Sequence, residues 1–248
     1  MVSFEICCGS AEDAIAAWKG GAVRVELNSD LFHGGLTPSI GTLTVVKKVV
    51  PNLKVICMVR PREGGFHYSD LEFQVMLEDA AQLLEHGADG IAFGFLHEDG
   101  TIDIKRCQKM LQVIGEKESV FHRAIDVVPD VFDAVSLLSE LGVTRILTSG
   151  QKPTALEGAE TIRQMIRIAD GRIEILPGSG IRPHNSARCR ELFQTPFLHA
   201  SMHTIICDNS LAHRSEIHFH GNTLLPETQY KIILPENVAD LINQANKN

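Results

Sequence analysis

Glu5 with Cys7, Glu26 with Asn28, Met58 with Arg60 and Val120 with His122 each stand two residues apart in short β-branched runs, so each pair shares one face of an extended strand. A strand buried on both faces tolerates charge only where an ion pair or a site requires it. If the shared face points inward, two carboxylates, an imidazole and a guanidinium converge at one mouth, a set suited to general acid–base work on a small anion. Glu5 and Glu26 could instead pair with Arg24 or Arg60 as buried structural ions. Arg60-Pro61-Arg62 offers two guanidinium groups, one held rigid before proline, for bidentate capture of a carboxylate or phosphate, or for ordinary surface ion pairs. His122, with Arg123 beside it and Asp126 close behind, could act as acid or base, or be a satisfied core histidine.

Two late turns add backbone donors. Thr148-Ser149-Gly150 and Gly178-Ser179-Gly180 let amides approach an anion, the second just before a helix that starts near Pro183. They could equally be tight turns with no ligand. His199 and Ser201 share a face close by. Ser149, Gly150, Gly178, Gly180, His199 and Ser201, with Arg62 and Arg123, are therefore the expected anion contacts. Cys7 is a soft donor that favours Cu(I). Cys8 points to the opposite face, and Cys107, Cys189 and Cys207 fall on helices or in the tail, so no second thiolate is evident at the mouth. His218 and His220 could present two imidazoles on one side of a strand, or be solvated surface groups.

These residues need a scaffold that brings strand ends together. Strands are expected near Phe4–Cys8, Ala22–Leu27, Lys54–Val59, Gly90–Phe93, Ser119–His122, Arg145–Leu147, Ile173–Leu176 and Phe197–Ala200, each followed by a helical or loop segment. Eight such units make the rhythm of a TIM (β/α)8 barrel, whose sites form at the carboxyl ends of the strands. Ser69-Asp70-Leu71-Glu72 is a capping-box pattern opening a helix that closes at Gly87, and Gly142 and Gly171 close two more. A doubly wound open sheet would need a glycine fingerprint opening the first helix, and Cys8-Gly9-Ser10 is a poor one. The region from Ser201 to Asn222 is polar and holds His203, His213, His218 and His220, and Leu234–Ala245 reads as a last short helix.

The 248 residues suit one domain, residues 1–248, and 44% hydrophobic with 22% charged residues is ordinary for a globular chain. A net charge of −8 argues against nucleic acid or an anionic membrane surface as partner. Glu5 and the lack of a basic start argue against a signal peptide, and no run of apolar residues is long enough to span a bilayer. A cytoplasmic protein with reduced cysteines is expected.

The runs Phe4-Glu5-Ile6-Cys7, Arg24-Val25-Glu26-Leu27, His33-Gly34-Gly35-Leu36-Thr37-Pro38-Ser39, Met58-Val59-Arg60-Pro61-Arg62, Phe121-His122-Arg123-Ala124-Ile125-Asp126, Arg145-Ile146-Leu147-Thr148-Ser149-Gly150 and Thr154-Ala155-Leu156-Glu157-Gly158 occur in order before Ser201. Together they resemble the CutC copper homeostasis proteins. The resemblance implies a cytosolic TIM barrel, a role in copper tolerance, and Cu(I) held by two cysteines, one in the first strand and one just after the run at the end of the second. Cys7 takes the first place. Asn28, hard and neutral, stands at the second, so weak Cu(I) binding is expected. Glu5, Glu26, Arg60, Arg62, His122, Arg123 and Asp126 all keep the family's pattern. Two readings follow: a copper homeostasis protein that binds Cu(I), or a barrel enzyme acting on a small anionic or phosphorylated molecule through Glu5, Glu26, Arg60, His122 and Asp126. A structural scaffold is disfavoured by so much charge at strand ends. Residues 202–248 are read as a divergent segment packed on the barrel, with a role in packing or in assembly into a homo-oligomer.

Overall fold

The computed structural model describes residues 1–214, 216–217, 219 and 225–247. Strands and helices alternate: β1 (Ser3–Cys8), α1 (Ala11–Lys19), β2 (Arg24–Leu27), α2 (Ile40–Val49), β3 (Lys54–Met58), α3 (Asp70–Glu85), β4 (Gly90–Phe93), α4 (Ile104–Ile114), β5 (Glu118–Phe121) and α5 (Val131–Glu140). There follow β6 (Arg145–Thr148), α6 (Ala159–Ala169), β7 (Glu174–Pro177), α7 (Pro183–Phe193), β8 (Phe197–Ala200), β9 (His203–Cys207), β10 (Gln229–Ile233) and α8 (Pro235–Asn246). The first eight strands form one parallel sheet in the order β7-β6-β5-β4-β3-β2-β1-β8. Because β7 also lies against β8, the sheet is a nearly closed (β/α)8 barrel.

Strand parity divides the core. Phe4, Ile6 and Cys8 face the helices within the larger apolar cluster, whereas Ile56, Met58, Ala92, Val120, Leu147 and Leu176 pack together inside the barrel. Local signals act where the sequence carries them. The Ser69 backbone donates to Glu72 Oε2 at 2.7 Å while Ser69 Oγ accepts the Glu72 N–H at 3.1 Å, so two donors at the start of α3 are satisfied reciprocally.

The end of the chain packs on the barrel through a helix. α8 packs on both α7 and α1, which makes it the eighth helix of the ring. Its tie is mutual: Val2 N–H donates to Asn246 Oδ1 at 2.8 Å and Asn246 Nδ2 donates to the Val2 carbonyl at 3.0 Å. The added material is the connection between β8 and α8, where β9 and β10 pair antiparallel with His203 opposite Ile233. Asp13 Oδ1 accepts the Ile233 N–H at 2.7 Å and so fastens this hairpin to α1. His218 and His220 lie outside the described residues.

Candidate metal centre at the barrel mouth

Register sets the levels of the site. Glu5 is paired with Arg24 on β2 and His199 on β8, and Cys7, two residues higher on the same face, is paired with Glu26. Glu5 therefore sits one level below the mouth, where it accepts from Arg24 Nε at 2.5 Å and faces Arg145 Nη1 at 3.7 Å. Arg145 also reaches Glu174 at 2.6 Å, Arg24 reaches Glu118, and both guanidinium groups lie over the Phe197 ring. The barrel floor is thus an ion network. Burial alone would raise the Glu5 pKa, but the hydrogen bond and charge of His199, with Arg24 and Arg145, lower it from 4.5 to about 2. Glu5 is a permanent carboxylate, and the structural pairing with Arg24 exists alongside its contact to the site.

That contact is to His199, whose Nδ1 lies 2.9 Å from Glu5 Oε1 while its Nε2 stands 3.9 Å from Glu26 Oε2. Nδ1 donates to the carboxylate, which leaves Nε2 turned toward the mouth. Donor atoms of Cys7, Glu26 and His199 all lie within 4.8 Å of one another. No other such group of three forms among the described residues. Asn28 Nδ2 donates to Glu26 Oε2 at 3.0 Å and approaches Cys7 Sγ at 3.6 Å, so the residue at the second cysteine position braces the donors rather than adding one. Burial and the nearby Glu26 push the Cys7 thiol well above its ordinary pKa. Burial likewise raises Glu26, against the pull of His199. For His199 burial acts downward, yet Glu26 and Glu5 hold its pKa above the usual value.

Above these groups is a cavity of about 370 Å³, walled on the opposite side of the barrel by His122, Arg123 and Asp126 and otherwise by Met58, Phe66, Val127 and Leu147. His122 Nδ1 accepts the Ala124 N–H at 3.2 Å, which places the proton on Nε2. Burial and the charge of Arg60 lower its pKa from 6.5 to about 3, so it is a neutral imidazole. A Cβ on Gly94 would come within 2.4 Å of His122 Cε1, so only glycine leaves room for this ring.

The mouth does not gather every expected residue. Arg60 lines the cavity, but Nη1 donates to the carbonyls of His33 (2.9 Å) and Gly35 (3.2 Å) and Nη2 to that of Gly64 (2.8 Å), so it staples two loops. Arg62 turns away to Glu72 at 2.5 Å and to the His67 carbonyl. Asp126 does not serve His122. Its carboxylate accepts from Thr148 Oγ1 at 2.6 Å, from Ser149 N and Oγ, from Gln151 N and from Arg123 Nε at 2.8 Å. The expected anion cradle is consumed by the same contacts: the Ser149 amide goes to Asp126, the Gly150 amide to Thr148 Oγ1 and the Gly178 amide to the Thr148 carbonyl. Gly180 abuts Thr154, and Ser201 Oγ pairs with His203 Nδ1 at 2.7 Å, so neither reaches the cavity. Sequence parity could have marked Arg145, Glu118 and Glu174, which share faces with Leu147, Val120 and Leu176. Phe66, in an irregular loop, carried no such signal.

The CutC family model matches residues 2–204. The chain belongs to the CutC family. A CutC family protein of Treponema denticola is 49% identical over 231 residues, covering 93% of this chain and 94% of that protein. The Homo sapiens copper homeostasis protein cutC homolog is 46% identical over 187 residues, 75% of this chain and 68% of that protein. The crystal structure of a CutC protein from Streptococcus agalactiae superposes with a TM-score of 0.77 at 31% identity, covering 81% of this chain and 98% of that one. The family match ends within β9, so the rest of the hairpin and α8 lie beyond it.

Proposed function

We propose that this CutC-family chain handles Cu(I) in the cytoplasm, with Cys7 Sγ and His199 Nε2 as ligands and Glu26 as the neighbouring carboxylate. One observation carries the reading: Glu5 fixes His199 through Nδ1 and leaves Nε2 3.9 Å from Glu26, in a cluster whose donor atoms with Cys7 lie within 4.8 Å of one another, as in the carboxylate–histidine–metal arrangement that orients imidazole ligands. Distances support it. With metal–sulfur and metal–nitrogen bonds of about 2.3 and 2.0 Å, as at zinc, a linear S–metal–N unit spans about 4.3 Å, and these donors lie within 4.8 Å. A thiolate and an imidazole are the soft and borderline donors that Cu(I) accepts, and Asn28 is not needed. Relatives named as copper homeostasis proteins, in Homo sapiens and Mus musculus, favour the same cargo.

Binding has a proton cost. Cys7 must lose a proton that its surroundings retain, and His199 must be neutral at Nε2, so metal uptake releases protons and tightens as pH rises. A Cu(I) titration against a chromophoric chelator tests the reading. One equivalent should bind, weakly at pH 6 and more tightly at pH 8, and Cys7→Ser and His199→Asn should each weaken it by at least about tenfold, the cost of an outer or inner ligand. Binding unchanged in Cys7→Ser would refute the site.

A further inference from the structure

We propose that the same cavity carries out proton transfer on a small carbonyl compound with an anionic tail, with Glu26 as the base and His122 as the hydrogen-bond donor to the developing oxyanion. The proposal goes beyond copper handling and needs no metal. It rests on two atoms. Glu26 Oε1 and His122 Nε2 have no hydrogen-bond partner among the described residues, and their residues are each 3% exposed. A lone acceptor and a lone donor on opposite walls of one cavity are both costly when left unmet, and buried polar groups are normally satisfied. A ligand that yields a proton on one side and presents an oxygen on the other meets both at once.

Each group is held for that task. Asn28 binds Glu26 Oε2 at 3.0 Å, which leaves Oε1 as the free basic atom. Ala124 and Gly94 fix the His122 ring with its proton on Nε2. Arg123, its side chain 45% exposed at the rim, spends Nε on Asp126 and Nη2 on Ser149, while no hydrogen bond of its Nη1 is seen among the described residues. Phe66, on the loop with Gly64 and Gly65, lies 4.9 Å from the His122 ring and lines the same cavity. A volume of about 370 Å³ is at the low end of the roughly 300–1,000 Å³ of small-molecule sites. It suits a substrate of a few carbons.

In the step, Glu26 Oε1 takes the proton from the carbon beside the carbonyl. The C–H pair becomes the C=C bond, and the carbonyl π pair moves to oxygen, which accepts the His122 Nε2–H. Return of the proton to the same or the neighbouring carbon gives exchange, racemisation or isomerisation, with no co-reactant.

The test is solvent exchange with the full chain in D2O, using pyruvate, 2-oxoglutarate and dihydroxyacetone phosphate as probes, a Cu(I) chelator present, and proton NMR as readout. At least one probe should lose its C–H signal about 100-fold faster than in buffer. Glu26→Gln should remove about 100-fold of that rate or more, and His122→Phe about 100-fold, with partial recovery in His122→Gln, whose amide also donates. Arg123→Met should raise the half-saturating concentration about tenfold. If the Glu26 and His122 variants fail to fold, the wild-type His122 Nε2 nitrogen shift should still move on adding the active probe. No exchange above buffer with any probe, exchange that survives Glu26→Gln, or a His122 signal unmoved at saturation overturns the proposal. Copper stoichiometry, measured separately, reports on the metal reading alone.

Discussion

Glu5→Gln removes the one carboxylate that joins the barrel floor to the site. Glu5 is 1% exposed and ion-paired to Arg24, with Arg145 and His199 also beside it. Its pKa falls from 4.5 to about 2 in the fold, and at about 1.4 kcal/mol per tenfold that is about 3 kcal/mol of stability. The sign follows from the lowered value. The contribution is complete above the unfolded pKa of 4.5 and is lost as pH falls toward 2, about 2 kcal/mol of it by pH 3. Arg24 keeps Glu118 and Arg145 keeps Glu174, so the arginines are not orphaned and the loss stays near the Glu5 figure rather than the larger cost of an unpaired buried charge. Urea unfolding of wild type and Glu5→Gln at pH 7 and pH 3 measures it. The gap should be about 3 kcal/mol at pH 7 and shrink to about 1 at pH 3. A variant as stable as wild type at pH 7, or a gap that does not change with pH, refutes the floor network as described.

His122 behaves in the opposite part of the acid range: its pKa is lowered from 6.5 to about 3, so the native state resists the proton that the unfolded chain takes up and stability falls from pH 6.5 toward 3. Nitrogen NMR should find it neutral with the proton on Nε2 at pH 5, and His122→Phe should flatten the acid limb of the stability curve. Gly94→Ala drives a methyl to within 2.4 Å of His122 Cε1 and 2.8 Å of Ala124 Cβ, which should cost about 1–3 kcal/mol, read as a lower melting temperature and a shifted His122 resonance. Asn28→Cys should strengthen Cu(I) binding by adding a soft donor where Asn28 now approaches Cys7 Sγ at 3.6 Å, visible in the same chelator competition.

Strand identity was legible because each barrel strand carries its own apolar run. Glu5, Glu26 and His199 face inward as the two-residue period requires. What parity cannot supply is height along the barrel axis between strands, which depends on their stagger: Glu5 stands level with Arg24 and His199, and Glu26 stands higher, level with Cys7. The loops were less legible for a different reason. Ser149, Gly150 and Gly178 look like an anion cradle in one dimension, and only the return of Asp126 from the turn after β5 shows that their amides are already taken. Likewise Arg60 reads as a free cation until the carbonyls of His33, Gly35 and Gly64 fold over it. The approach of His199 to Glu5 and Cys7 joins the first strand of the barrel to the eighth and becomes visible only when β8 closes against β1.

X-ray absorption at the copper edge of the Cu(I)-loaded full chain tests the metal centre most directly. The expected result is one sulfur and one imidazole nitrogen bound to the copper, with the imidazole signal lost in His199→Asn and the sulfur lost in Cys7→Ser. Copper bound by two sulfurs, or by no sulfur, would contradict it.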